Sequence, residues 1–438
     1  MGIIRGPSRR LILKTTMALA ASGTLPARQV GAAQHEAPSQ ATAFPHIDTS
    51  LRTAVASQEV PGVVALAAAE SGILYEGVFG SRRLSGGPAK DAAMTRDTVF
   101  RIASMVKLIT SVAAMRLVEQ GKLSLDDPAP QIDPAIADAQ VLDGFEPNGA
   151  PILRPPKRPI ALRHLLTHTS GFTYRLWDAE AIRYGNAVDK VPLPERHKLP
   201  RTPLMFDPGE RWQYGTSIDW VGRIIESISG EPLETHFRKN IFEPLGMKDT
   251  TFEITPAQRT REASAHRRQP DGSLKPEPME AAPQPHAPPR HHSGGGGIYS
   301  TAPDYLTLIR MLMLGGSFEG ARILEPATVA LMGQNQIGTV EAGILKTTSP
   351  RVSNDVDFFH GISLKWGFGS MINMQPVPQA RSAGSMTWAG LFNTYYWIDP
   401  KKRVAAVFMT QVLPFADERA LQAYRQFERG VYAAVKTG

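Results

Sequence analysis

The 438-residue chain contains no cysteine. Disulfide bonds, thiolate nucleophiles and cysteine-ligated zinc or iron–sulfur centres are therefore excluded. Two other signatures are missing: His-Glu-x-x-His, the helical zinc motif, and Gly-x-Ser-x-Gly, the nucleophile elbow of α/β-hydrolases. The adjacent His291 and His292 lie in a proline-rich run and make a poor metal site. Past the N-terminal segment, no uncharged apolar run approaches the roughly 18 residues of a membrane-spanning helix, so no span is predicted. Excess charge is scarce as well. Of the net +7, five charges (Arg5, Arg9, Arg10, Lys14 and Arg28) fall within residues 1–33, which hold no acid. The small remaining excess supplies no basic face for nucleic acid.

What is present begins with that leader. Ser8-Arg9-Arg10-Leu11-Ile12-Leu13-Lys14 resembles a twin-arginine export signal, followed by a mildly apolar stretch and the small residues Gly31-Ala32-Ala33. Residues 1–33 are therefore expected to be a signal peptide directing export to the periplasm.

The chemistry centres on Phe100-Arg101-Ile102-Ala103-Ser104-Met105-Val106-Lys107 and the apolar segment after it, which has no Gly or Pro until Gly121. Apolar residues at 105, 108, 109, 112, 115 and 118 predict a buried helix starting at or near Ser104. Residues i and i+3 share a helix face, so Lys107 can reach the Ser104 hydroxyl. A plain alternative is that Ser104 only caps the helix.

Elsewhere the pattern predicts strands at Val63–Ala69 and Ile73–Phe79, joined by a turn at Glu70-Ser71-Gly72. Further strands are expected over Leu364–Met374, Ser385–Trp388, Phe392–Ile398 and Val404–Gln411, the last two joined at Asp399-Pro400-Lys401-Lys402. Helices are expected over Ile47–Gln58, Thr301–Leu314, Pro326–Gln334 and Glu418–Val435. Between Lys122 and His292 strand alternation fades and short helical patterns take over, including Ile160–His168, Ser217–Ser229 and Pro232–Phe242, with one possible hairpin at Asp271-Gly272. These patterns predict an α+β fold: an antiparallel β-sheet flanked by helices, built from both termini, with a large mostly helical insertion. The expected division is 34–121 with 294–438 as a discontinuous sheet domain, 122–293 as a helical domain, and a site in the cleft between them.

Two more stretches bear on that site. In Asp207-Pro208-Gly209-Glu210-Arg211-Trp212-Gln213-Tyr214-Gly215-Thr216-Ser217 a tyrosine precedes a helix, where it can serve as a hydrophobic staple. In Ser385-Met386-Thr387-Trp388-Ala389-Gly390-Leu391 a glycine falls late in a strand, as at a bulge or a close backbone approach. Together, Ser104-x-x-Lys107, Tyr214-Gly215-Thr216 and Trp388-Ala389-Gly390, in this order, resemble the three motifs of the serine β-lactamase and penicillin-binding-protein superfamily. The match is to its class C-like branch and more closely to the family VIII carboxylesterases. Leu165–Gly171, Asp207-Pro208-Gly209, Gly295–Thr301 and Gln411–Phe415 resemble the same family, so the likeness spans nearly all of residues 45–436.

The resemblance implies a β-lactamase/transpeptidase-like fold and a serine hydrolase that cleaves small-molecule esters through an acyl-enzyme on Ser104, with Lys107 and Tyr214 sharing the proton. It also implies substrate contacts at Trp388, Gly390 and Leu391, an oxyanion held by the amides of Ser104 and Leu391, and no metal or organic cofactor. Thr216 stands where class C has Asn, and Trp388-Ala389 where it has Lys-Thr. An indole makes no ion pair with a drug carboxylate, so the esterase reading is favoured over a β-lactamase, a D-Ala-D-Ala peptidase or an acyltransferase. A non-catalytic peptidoglycan-binding module is the alternative of another class.

Overall fold

The computed structural model describes residues 44–85, 91–191, 200–278 and 292–435, so the leader and His291 lie outside the described residues. Its main sheet has eight strands: β1 (Gly62–Ala69), β2 (Gly72–Arg83), β3 (Ala92–Ala93), β4 (Leu364–Trp366), β5 (Met371–Asn373), β6 (Met386–Gly390), β7 (Thr394–Asp399) and β8 (Val404–Met409). They run in the order β4-β5-β6-β7-β8-β1-β2-β3, and every pair is antiparallel. The first and last strands of this sheet in chain order thus meet at its centre, where Val64 faces Met409 and Ala69 faces Val404. Both central strands are buried almost throughout, which is why they read as unbroken apolar runs.

Helices cover both faces. Tyr305 of the helix Ala302–Met313 packs on Tyr396 at 5.4 Å, while Tyr424 of the helix Glu418–Val435 stacks on Tyr395 at 4.4 Å. Adjacent strand residues point to opposite faces, so these two helices lie on opposite sides of the sheet. The helix Pro45–Ala56 joins the C-terminal one: Asp48 accepts a bond from the Tyr75 hydroxyl, and Tyr75 packs on Phe427. The helix Val106–Glu119 is buried on nearly all sides, consistent with its unbroken apolar sequence.

The expected α+β class and the turns at Glu70-Ser71-Gly72 and Asp399–Lys402 are as observed; other expectations are corrected. Leu364–Met374 is two strands rather than one. Gly367-Phe368-Gly369-Ser370 turns the chain back so that Trp366 pairs with Met371, with Gly369 at a φ of +94°. The stretch after Lys122 does hold strands: Val141–Phe145 pairs with Pro151–Arg154 across an Asn148-Gly149 turn. The helix expected at or near Ser104 is present, a single 3-10 turn over Ala103–Met105 leading into the α-helix from Val106.

Candidate active site

The chain enters the site along Phe100–Arg101, a short strand paired with Tyr299–Ser300, and the Ile102 amide donates to the Ile298 carbonyl at 3.1 Å. Ala103 then adopts a φ of +43°, a left-handed conformation that costs a non-glycine residue about 1–3 kcal/mol. Ser104 follows in the 3-10 turn, partly exposed. It makes no capping bond to the helix, so the plain capping role is not what this serine performs.

Lys107 lies one turn on, with 0% exposure. Its Nζ is 3.0 Å from Ser104 Oγ, 2.7 Å from the Gly295 carbonyl and 3.4 Å from the Tyr174 hydroxyl. Among the described residues no carboxylate forms an ion pair with it. The carbonyl of Gly294 is fixed by Thr110 of the same helix at 2.6 Å, which holds the glycine-rich run against Lys107.

Two phenols face the lysine. Tyr214, the expected partner, is 2% exposed, and its ring centre is 4.9 Å from Nζ. Its hydroxyl accepts a hydrogen bond from the Trp388 indole N–H at 3.1 Å, and no hydrogen bond joins it to Ser104 or Lys107. Tyr174, which sequence reasoning missed, brings its hydroxyl within hydrogen-bonding reach of Nζ and donates to Asp219 at 3.4 Å. The two phenols meet because the segments around them run side by side: the Gln213 amide donates to the His168 carbonyl, the Tyr174 amide to the Tyr214 carbonyl, and the Gly215 amide to His168 Nδ1. A Cβ at Gly215 would collide with the Phe172 carbonyl, so glycine permits the approach.

His168 is fully buried at a φ of +57°, with its ring 4.8 Å from that of Tyr214. Burial pushes the imidazole well below its usual range, so it is neutral. The Tyr174 ring is partly exposed, but its hydroxyl end is enclosed. Burial, then the charge of Asp219, holds it well above the usual phenol range, so it keeps its proton.

From the sheet, Trp388 is 2% exposed and spends its only donor on Tyr214. Gly390 is the close approach anticipated from sequence: a Cβ there would collide with the Ile102 carbonyl and the Thr394 hydroxyl. Leu391, partly buried, follows at the strand end. A cavity of about 290 Å³ adjoins Trp388, lined by Phe358, Ile362, Ala389, Tyr395 and Leu421, with Arg429 among its charged residues. Among the described residues no group of three or more metal-ligating side chains occurs; His292 stacks on Phe252 at 4.3 Å.

Ser104, Lys107, Tyr214 and Trp388 are therefore brought together, with Tyr174, His168, Asp219 and Gly295 added. All four additions fall within or a few residues beyond stretches that resemble the β-lactamase superfamily, the signal that points to them.

The β-lactamase family model matches residues 47–430. An ML-236A carboxylate methylbutanoyltransferase of Penicillium citrinum is 31% identical, covering 89% of this chain and 94% of the relative. A lovastatin esterase of Penicillium rubens is 30% identical, covering 88% and 98%. Among solved structures, a mutant simvastatin synthase from Aspergillus terreus has a TM-score of 0.77 at 29% identity, covering 90% of this chain and 99% of that one. With a family model matched across the whole sheet and site, this chain belongs to the β-lactamase family, among relatives that include an esterase and a methylbutanoyltransferase.

Proposed function

We propose that the protein is an ester hydrolase that passes the acyl group of a small-molecule carboxylic ester through Ser104 to water. The observation that carries this reading is the buried Lys107 nitrogen 3.0 Å from the Ser104 hydroxyl, with no carboxylate paired to it among the described residues. Burying an ammonium without such a partner is costly. Nζ reaches the Gly295 carbonyl, the Tyr174 oxygen and Ser104 Oγ; acting as base, the amine would keep two N–H donors for the first two and turn its lone pair to the Ser104 proton.

In acylation Ser104 Oγ forms a bond to the ester carbonyl carbon and its proton passes to Lys107 Nζ. The oxyanion accepts from the amides of Ser104 and Leu391, by analogy with the family; one such donor is worth about 3 kcal/mol of the barrier. The C–O bond to the alcohol then breaks, and the leaving oxygen takes a proton. Tyr214 suits that delivery, because its oxygen accepts from Trp388 and its own proton is free to be given. Water then releases the acid by the reverse proton path. Trp388 is engaged with Tyr214 and offers no cation to a carboxylate, which supports esters over β-lactams.

The test is turnover of a chromogenic short-chain ester, with a chromogenic cephalosporin alongside. Ser104→Ala and Lys107→Ala should abolish ester turnover, a serine-reactive phosphonate should label Ser104 alone, and the cephalosporin should turn over poorly. Full activity in Ser104→Ala would sink the assignment. The relatives' names support a second outcome of the same acyl-enzyme, transfer to an alcohol; adding alcohol acceptors and measuring the ratio of new ester to free acid decides its share.

Two further parts of the reading rest on sequence. Export is proposed from residues 1–33, and Arg9→Lys with Arg10→Lys should hold the chain inside the cell. The helical unit 122–293 set against the sheet unit should appear as protease cuts clustered near its two ends.

A further inference from the structure

The carbonyl that accepts from Lys107 belongs to a strap, Ser293-Gly294-Gly295, squeezed between two helices. On one side is Val106–Glu119, whose Thr110 holds the Gly294 carbonyl. On the other is Ser217–Ser229, where a Cβ on Gly294 would collide with the Ile218 carbonyl and one on Gly222 would lie 2.9 Å from Gly294. Asp219, in the first turn of that second helix, fastens the strap. Its Oδ1 accepts from the Ser293 hydroxyl, Ser293 Oγ accepts from the Gly295 amide at 3.0 Å, and a Cβ on Gly295 would lie 2.7 Å from Asp219 Oδ2. The other carboxylate oxygen accepts from Tyr174, whose hydroxyl is the third neighbour of Lys107 Nζ. One carboxylate therefore sets two of the lysine's three contacts without touching the lysine itself.

We propose that Asp219 is a positioning residue: through Ser293 it fixes the Gly295 carbonyl, and through Tyr174 it fixes a phenol, so that the lone pair of Lys107 is left pointing at Ser104. This rests on the reading of Lys107 as the base. A neutral amine whose two N–H bonds are both held has only one direction for its lone pair. If either acceptor swings away, the amine rotates and the proton of Ser104 loses its target, a geometric loss large in rate for a small displacement. The polar and charged groups facing Lys107 are few: Ser104 on its own segment, Tyr174, Tyr214, neutral His168, the Gly295 carbonyl, and Asp219 behind Tyr174.

The experiment compares Asp219→Ala, Asp219→Asn, Ser293→Ala and the double variant Asp219→Ala/Ser293→Ala, each normalised to the fraction of sites titrated by the phosphonate. Asp219→Ala and Ser293→Ala are expected to lower kcat tenfold or more with little change in KM, and the double variant to be no slower than the slower single. Asp219→Asn keeps the oxygen that Ser293 needs, so it should recover most of kcat. With the negative charge gone, the acid limb of its pH–rate profile should move to lower pH, because a nearby carboxylate favours the ammonium form. A residue that only supports the helix would change the titratable fraction or Tm, and leave normalised kcat and the profile unmoved. That result, or additive losses in the double variant, overturns the proposal. Retained turnover in Lys107→Ala would instead overturn the reading of the base.

Discussion

A tryptophan holds the phenol that the sequence would assign to the proton relay. Because the Trp388 indole N–H is bonded to the Tyr214 oxygen, Trp388→Phe keeps an aromatic ring against Tyr214 and deletes one hydrogen bond. A bond of this kind is worth about 1 kcal/mol, so kcat on a chromogenic ester should fall about five- to tenfold with KM nearly constant. A loss confined to KM would make Trp388 a substrate contact only. Gly215 offers a second test. A Cβ there would meet the Phe172 carbonyl. Gly215→Ser should therefore separate the segments bearing Tyr174 and Tyr214 and cost about 1–3 kcal/mol of stability together with most of the activity. Thermal melts and active-site titration on the same sample check both halves. Ser104, Lys107, Tyr214 and Trp388 were legible because each stands in a short motif. Tyr174 was not, because its functional partner is 67 residues away and nothing in local periodicity marks a phenol at the end of a loop.

Elements were legible where one physical cause fixes them. The helices at Ser217–Ser229 and Glu418–Val435 have the bounds expected from apolar spacing, the first closed by Gly230 at a φ of +71°. The hairpin at Val141–Arg154 carried an Asn148-Gly149 turn signal that the surrounding Pro, Asp and Arg obscured. The spacing over Pro232–Phe242 predicts one helix, yet an α-helix over Leu233–Phe237 gives way to a π-helical turn over Arg238–Phe242, a difference of hydrogen-bond register with no compositional trace. The C-terminal helix also conceals an ion pair: Arg381, 0% exposed, is bonded to Glu428 at 2.6 Å and to the Tyr424 hydroxyl at 2.5 Å. Removing one partner strands a charge, so Glu428→Ala should cost about 3–5 kcal/mol by chemical denaturation. A loss below about 1 kcal/mol would show that Arg381 finds water or another acceptor.

Across the whole molecule, buried imidazoles set the response to acid. Burial holds His266 down at about 4, with Nε2 accepting from the Leu84 amide at 3.2 Å, and burial also lowers His164, His168 and His236. Between pH 6.5 and about 4 the unfolded chain binds protons that folded His266 refuses, so stability rises with pH and is lost as pH falls; this residue alone accounts for about 3 kcal/mol. Asp304 works the other way in the same window. Burial raises it to about 6, so the folded chain gains a proton first, and acidification there adds a comparable amount. With four histidines against one carboxyl, Tm should fall steadily as pH goes from 7 to 4.5, and His266→Gln should flatten the fall; a Tm that climbs on acidification contradicts this balance. The order of these residues along the chain carries a last consequence. Trp388 and Gly390 come from a part of the chain synthesised after Ser104, Lys107 and both phenols, yet Trp388 bonds Tyr214 and Gly390 packs close against the Ile102 carbonyl. A nascent polypeptide still tethered to the ribosome at Gly297 would expose its nucleophile with nothing to seat the proton donor. Such a fragment should be inert toward esters, with activity first arising once the final third of the polypeptide has been made.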